Sequence, residues 1–194
     1  KGVQKERTIS DTFDQTTSGE SLVNMMALDL LVGSGGVLSH APRREQSAKM
    51  LIDSFMPEGI TQLAVDSIFM MPQLGVLAGV DKTDLKEEAR KAALEVFHKD
   101  CLIRLGTCIS PIGKSKKGDL VLTAEVRITE KDLQTFQIYK NDFIRIKAPY
   151  EPLDVTLKPG KNMNIGAGIG ESVHTKIFGG EVGIVFDGRD RPIN

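Results

Sequence analysis

The sequence has little of three features that would point directly to a function: net charge, long apolar runs and cysteine. Its 25 basic and 26 acidic residues leave a formal net charge of -1, so no basic field favours nucleic acid or an anionic membrane surface. The longest apolar stretches, residues 25–32 and 68–80, are too short or too interrupted to span a bilayer. We therefore expect a protein that binds neither nucleic acid nor membranes and that contacts phosphate only through a local site.

The chain has two cysteines, Cys101 and Cys108, with six residues between them. Structural zinc sites need four ligands and usually closer cysteine pairs, and the three histidines are scattered along the chain. The spacing therefore favours two small, buried, reduced side chains in a cytoplasmic protein over a metal site or a redox site.

The first part of the chain, up to about residue 105, alternates predicted strands with predicted helices. Short apolar runs at residues 28–32 and 62–66 predict two buried strands. The segment between them predicts a helix with Pro42 in its first turn and apolar residues recurring every three or four positions. The predicted inner face of this helix consists of Ala48, Leu51, Ile52 and Phe55.

Two further helices are predicted in this part of the chain. Residues 68–78 are apolar on nearly all sides, which indicates a buried helical segment that Pro72 begins or kinks. Asp84 is positioned to cap the next helix, whose predicted inner stripe is Leu85, Ala89, Ala93 and Phe97. The order strand, loop, helix, strand, helix is typical of an α/β layer.

Beyond about residue 106 the pattern changes to short strands and turns. Residues 120–128 alternate apolar with polar or small side chains, which predicts a half-buried strand. Further strands are predicted at residues 134–139, 143–146, 153–157, 173–178 and 182–186. We predict an α/β domain over residues 1–105, followed by a small antiparallel β-sandwich or barrel domain over residues 106–194.

The segment Gly33-Ser34-Gly35-Gly36 joins the first predicted strand to the helix that follows. Glycines at such a turn permit backbone angles closed to other residues and let a ligand lie against the main chain. Free N–H groups at a helix start suit a phosphate or a ribose-phosphate. The spacing matches neither the dinucleotide fingerprint nor a P-loop. The residues alone leave two interpretations open: a nucleotide loop, or a tight crossing from strand to helix without a ligand.

Longer stretches around this loop resemble a known family. Gly33–Pro42, Leu63–Asp66 and Met71–Ala78 resemble the adenosine motif and the second connecting helix of actin-like ATPases. Within that superfamily they resemble the glutamate mutase L family, and Gly179–Pro192 resembles the end of its longer members. The resemblance implies that residues 1–105 are the C-terminal part of an actin-like ATPase domain.

The resemblance also implies a function. Gly33, Ser34, Gly35 and Gly36 would line the adenosine and α-phosphate side of a cleft for ATP or ADP, with Mg²⁺ held through phosphate loops N-terminal to this chain. Such a protein would be an ATP-binding chaperone or reactivase that assists a coenzyme-B12-dependent (cobalamin) mutase. Because the sequence begins at Lys1 without an initiator methionine, we interpret it as a fragment or a processed product. We expect ATP hydrolysis only when the N-terminal remainder of its own chain completes the site.

Three further residues are candidates for the same site. His40 follows the glycine loop, Arg43 lies in the first turn of the next helix, and Asp66 ends a strand at the edge where α/β clefts open. Each has a structural alternative: a position at a helix start for His40, a solvated helix face for Arg43, and a helix cap for Asp66. No catalytic group can be assigned from spacing.

Two motifs in the second half are interpreted as structural. Gly166–Gly170 lacks a following helix, so it predicts a turn between strands rather than a phosphate loop. Asp187 and Arg189 lie in a charged turn and are predicted to pair with each other. The alternative to the nucleotide-binding function is a non-catalytic binding or assembly module, in which the glycine loop is only a crossing.

Overall fold

The computed structural model describes residues 24–79, 86–129 and 131–193 and shows a mixed α/β structure. The helices are α1 (Gly36–Ser39), α2 (Arg44–Phe55), α3 (Met71–Ala78) and α4 (Lys86–Val96), with a 3₁₀ turn at Met25–Ala27 and a π-helical turn at Phe97–Cys101. The strands are β1 (Leu30–Gly33), β2 (Gly59–Asp66), β3 (Leu102–Ser110), β4 (Ile112–Gly113), β5 (Leu120–Thr129), β6 (Asp132–Tyr139), β7 (Phe143–Ile146), β8 (Pro152–Pro159), β9 (Met163–Asn164), β10 (Val173–Phe178) and β11 (Gly183–Asp187). The predicted helix cap at Asp84 and the neighbouring Leu85 lie outside the described residues.

The larger sheet has five strands in the order β1-β2-β3-β11-β7. β1 is parallel to β2 and β11 is parallel to β3, whereas β3 is antiparallel to β2 and β7 is antiparallel to β11. The predicted domain boundary at residue 105 falls inside β3, which pairs with β2 on one side and with β11 on the other. The second half of the chain therefore contributes two strands to the sheet that the first half begins. Whether the two parts behave as separate domains stays a prediction.

The smaller sheet is fully antiparallel, with four strands in the order β10-β8-β5-β6. The alternation predicted for β5 holds from Leu122 onward, because Leu122, Ala124 and Val126 are all buried. It fails at the start of the strand, where an irregularity in the pairing with β6 leaves Leu120 exposed and turns Val121 inward. Such a bulge shifts one residue of a strand relative to the alternation that the sequence shows.

The buried apolar side chains form two clusters on opposite faces of the larger sheet. One cluster fills the space between the two sheets and includes Val126, Ile138, Val155, Ile184 and Phe186. The other lies under α2 and consists of Ala48, Leu51, Ile52, Leu63, Val65, Leu105, Cys108, Val182 and Val185. A strand whose two faces are both covered carries apolar side chains on both faces. This explains the continuous apolar run at the end of β2.

Two predictions about helix burial are wrong. Phe55 is not on the inner face of α2, since it ends the helix and is 48% exposed. α3 is a helix, as predicted, but it has no buried residue, and Val76 is 75% exposed. The inner stripe predicted along α4 holds in part: of its described residues, Ala93 is buried, and Ala89 and Phe97 are partly buried. Periodicity identifies an apolar face, but it does not say whether another element lies against it.

Among the described residues, no helix is both long enough and apolar enough to cross a membrane.

Candidate functional site

The glycine loop begins where β1 ends, and its first glycine serves packing. A Cβ added to Gly33 would lie 2.8 Å from Leu38 Cδ1 and 2.9 Å from Leu51 Cδ2. Gly33 is buried, so its lack of a side chain lets α1 and α2 pack against the end of β1. This role requires no ligand.

The next two glycines have different surroundings. Gly35 has a φ of +116°, a backbone angle that residues with a side chain rarely adopt. It directly precedes the first residue of α1. No atom lies within 4 Å of a Cβ built on Gly35 or on Gly36. The first turn of a helix leaves its N–H groups without intrahelical acceptors, which here applies to Gly36 and Val37. The backbone at this turn is therefore open to a ligand on the side where the two glycines lack side chains.

Asp66 links the glycine loop to the start of α3. It is completely buried. Its Oδ2 accepts hydrogen bonds from the N–H of Met71 (2.9 Å) and from the hydroxyl of Ser34 (3.4 Å). Its Oδ1 accepts a hydrogen bond from the N–H of Met70 (3.3 Å). Its carbonyl oxygen accepts from the hydroxyl of Ser39. Asp66 thus caps α3, which is the structural alternative considered for it, and it also orients Ser34 beside the open glycines.

The other two candidates lie on the C-terminal side of the loop. The His40 ring stacks on the Phe69 ring, with centroids 5.8 Å apart and an interplanar angle of 19°. Arg43 precedes α2, is exposed, and uses its backbone N–H to donate to Gln46 Oε1 (3.1 Å). The structure therefore groups Ser34, Gly35, Gly36 and Asp66, while His40 and Arg43 lie on the segment that follows α1.

Sequence reasoning missed Phe69. Its φ of +60° is uncommon for an aromatic residue, and its ring is partly exposed next to His40. No sequence pattern predicts this backbone angle. Arg44, at the start of α2, donates from its Nη1 to the carbonyl of Ser39 (2.8 Å) and fixes α1 to α2.

A second polar cluster lies at the end of β11. The carboxylate of Asp187 is fully buried and accepts three hydrogen bonds from Arg189, two from its side chain (2.8 and 2.9 Å) and one from its backbone N–H (3.1 Å). It accepts a further one from the side chain of Arg191 (2.9 Å). Burial by itself would raise the pKa of Asp187, but the hydrogen bond from Arg189 and the charge of Arg191 outweigh burial and lower it. The predicted pairing of Asp187 with Arg189 is present. Arg189 also reaches Asp53 of α2 (2.9 Å), so the cluster joins the two halves of the chain.

Both cysteines are buried free thiols, as predicted. Burial, followed by the negative charge of Asp187, raises the pKa of Cys108 to about 12, so this thiol stays protonated at neutral pH. Within the described residues, no three His, Cys, Asp or Glu side chains form a group that could hold a metal ion. The predicted turn at Gly166–Gly170 is also present, with Asn164 Oδ1 accepting from the N–H groups of Gly166 (2.8 Å) and Gly168 (3.1 Å).

The comparison with family models identifies the first half of the chain. A model described as MutL protein matches residues 3–101, a segment that contains the whole glycine loop and Asp66. The chain belongs to this family, the glutamate mutase L family. The match ends at the start of β3, so Gly179–Pro192 lies outside it. No curated protein and no solved structure matches the chain.

Proposed function

We propose that this member of the glutamate mutase L family binds ATP or ADP at the loop Gly33–Gly36. The supporting observation is the open backbone at Gly35 and Gly36, which follows the end of β1 inside the segment matched by the family model. Backbone N–H groups at a helix start attract phosphate oxygens, because they carry partial positive charge and lack acceptors within the helix.

The residues around the loop fit a nucleotide phosphate or ribose. The N–H groups of Gly36 and Val37 would donate to a phosphate oxygen, and Ser34, oriented by Asp66, would offer a hydroxyl beside them. His40, which follows α1, and Phe69, which follows β2, stack to form a partly exposed aromatic surface. Mg²⁺ bound with the nucleotide would neutralise phosphate charge; we expect its ligands to come from outside residues 24–193, and we assign no hydrolytic group to this chain.

Isothermal titration with ATP and with ADP, on this chain and on the intact gene product, tests the proposal. Gly36→Val should weaken binding, because the new side chain would occupy the open space over the loop, where an added Cβ has no other protein atom within 4 Å. Val37→Ala is the matched control, because Val37 is 74% exposed in the same turn and keeps its backbone N–H. The proposal is wrong if the intact gene product binds neither nucleotide, or if Gly36→Val binds as tightly as Val37→Ala.

The alternative is a non-catalytic binding or assembly module. It is favoured by the structural roles of Gly33 and Asp66, which packing and helix capping explain without a ligand. Under this alternative, titration would show no nucleotide binding, while substitutions at these two residues would still destabilise the fold.

We further propose that the partner is a coenzyme-B12-dependent mutase and that nucleotide binding drives exchange of its inactivated cofactor. This proposal rests on family membership. A mutase loaded with inactive cobalamin should regain activity when the intact gene product and ATP are added together. Reactivation that is equally fast without ATP would contradict it.

A further inference from the structure

An aromatic pair lies next to the glycine loop and stays open to solvent. The ring of His40 stacks on the ring of Phe69, with centroids 5.8 Å apart and an interplanar angle of 19°. His40 is exposed, and Phe69 is 37% exposed. Aromatic rings stabilise a fold mainly by removing apolar surface from water. A stacked pair in this position therefore contributes less to stability than a buried pair would.

The backbone of Phe69 is held in an unfavourable conformation. Its φ is +60°, which costs free energy in a residue with a side chain. The chain is fixed on both sides of it, because Ser67 donates from its N–H and its hydroxyl to the carbonyl of Cys101 (2.9 and 2.8 Å), and the carboxylate of Asp66 accepts from the N–H of Met70 (3.3 Å). Backbone strain of this kind is concentrated at functional sites, so the position of this ring calls for a role beyond packing.

The aromatic pair is joined to the glycine loop by direct contacts. The N–H of His40 donates to the carbonyl of Gly36 (3.0 Å), so the two backbones are one helical turn, about 6 Å, apart along α1. On the other side, the carboxylate of Asp66 binds both the hydroxyl of Ser34 and the N–H of the residue after Phe69. The open backbone of the loop and the two rings are therefore neighbours.

We propose that the base of the bound nucleotide stacks on the exposed ring of His40, which Phe69 supports from its other face. This inference rests on the proposed binding of ATP or ADP at Gly33–Gly36. Nucleobases stack on aromatic side chains, histidine among them, because every base has a π face. Phe69 is thus a positioning residue, since it covers one face of the imidazole and leaves the other face for the base.

The loop and the rings differ in the part of a nucleotide that each one suits. The N–H groups and the hydroxyl of the loop suit phosphate or ribose oxygens, whereas the rings offer a flat and largely apolar surface. Stacking contacts the face of a base and not its edge. We therefore expect the aromatic pair to contribute to the binding of GTP as well as of ATP, and we do not expect it to select adenine by itself.

Titration of the intact gene product with ATP and with inorganic triphosphate tests the proposal, because inorganic triphosphate has no base. His40→Ala removes the stacking ring, and His40→Phe keeps an aromatic ring. Phe69→Gly removes the supporting ring, and glycine adopts a φ of +60° without strain, so the backbone of this segment can keep its course. Phe55→Ala is the matched control, because Phe55 is also a partly exposed aromatic residue (48%) but ends α2, about 16 Å from the start of that helix.

We expect His40→Ala to weaken ATP binding by about fivefold to a hundredfold, which corresponds to the loss of one stacked base, and Phe69→Gly by about threefold to tenfold. His40→Phe should bind ATP within about threefold of the wild type, since it keeps a ring for the base. Phe55→Ala should not change the affinity. The wild type should bind inorganic triphosphate at least about fivefold more weakly than ATP, and no variant should change triphosphate binding by more than about twofold.

The proposal is overturned if His40→Ala binds ATP as tightly as Phe55→Ala does. It is also overturned if His40→Ala weakens the binding of triphosphate as much as that of ATP, because His40 would then shape the loop without contacting the base. Equal affinities of the wild type for triphosphate and ATP would overturn this inference alone and leave the proposed phosphate contacts standing. If the intact gene product binds neither ATP nor ADP, the proposed function and this inference are both wrong.

Discussion

Individual glycines of the same loop have different roles. Gly33 is needed because Leu38 and Leu51 occupy the space of its missing side chain, whereas the space over Gly36 is empty. A glycine-rich turn in a sequence therefore does not say which glycine serves packing and which leaves the backbone open.

This difference gives a testable prediction for Gly33→Ala and Gly36→Ala. Gly33→Ala should lower the free energy of unfolding by about 1–3 kcal/mol, because its methyl group overpacks against two leucine side chains. Gly36→Ala is the control, and urea unfolding should show a stability close to that of the wild type. If both variants unfolded at the same urea concentration, the packing role of Gly33 would be wrong.

The buried Asp187 makes stability depend on pH. Since the pKa of Asp187 is lowered in the folded state, its carboxylate stabilises the fold above the ordinary value of 3.8. This stabilisation is lost as the pH falls through the lowered pKa. Asp187→Asn should cost about 3–5 kcal/mol at pH 7, because it removes the charge that two largely buried arginines share.

Chemical unfolding between pH 2 and pH 7 checks this prediction, and the variant should lose less stability on acidification than the wild type does. Glu87→Gln is the matched control, since Glu87 pairs with Lys91 of the same helix and the two side chains are 64% and 73% exposed. Its loss at pH 7 should be at most about 1 kcal/mol. Equal effects of the two substitutions would contradict the role of Asp187.

At the scale of elements, the parallel pairing of β3 and β11 depends on glycine. Gly106 of β3 lies opposite Gly183 of β11, and its φ is +138°. A Cβ on Gly106 would lie only 1.8 Å from the carbonyl oxygen of Gly183, a backbone atom that cannot move without breaking the pairing. Gly183 cannot carry a side chain either, because a Cβ there would lie 2.1 Å from the carbonyl oxygen of Ile146 in β7.

Gly106→Ala should therefore destabilise the protein by more than about 3 kcal/mol or prevent folding, because strain and a backbone clash add together. Gly118→Ala is a matched control, since Gly118 also has a positive φ of +92° but has no atom within 4 Å of its Cβ position. We expect the control to cost about 1–2 kcal/mol from backbone strain alone. Thermal unfolding followed by circular dichroism distinguishes the two, and a similar loss in both would rule out the clash.

At the scale of the whole molecule, the two halves of the chain share one sheet and are joined by ion pairs. β11 and β7 extend the sheet begun by β1, β2 and β3. Arg145 of β7 pairs with Glu45 of α2, and Arg189 pairs with Asp53 of the same helix. These contacts cross residue 105, where the sequence pattern changes.

Val126→Asp tests whether the two sheets unfold together. Val126 is completely buried between the sheets, and an unpaired carboxylate there should unfold the smaller sheet. Because Ile184 and Phe186 of β11 belong to the same apolar cluster, we expect the larger sheet to lose protection as well. Hydrogen exchange followed by mass spectrometry measures both sheets in one experiment. If β1 and β2 kept their protection, two separately folding domains would be the better description.

The sequence by itself determined the type and order of most elements, because side-chain periodicity and turn residues act locally. It located β1 and β2, the helix carrying Ala48, Leu51 and Ile52, and the short strands of the second half, and its resemblance to the glutamate mutase L family agrees with the match over residues 3–101. It also located the open turn at Gly35 and Gly36.

Only the tertiary structure decided which surfaces are covered and which side chains meet. The exposed face of α3, the capping of α3 by Asp66, the stacking of His40 on Phe69 and the insertion of β11 beside β3 all depend on contacts between residues far apart in the chain or on backbone angles. The physical reason is that periodicity encodes the direction in which a side chain points along its own element. What lies in that direction is set by how the elements pack together.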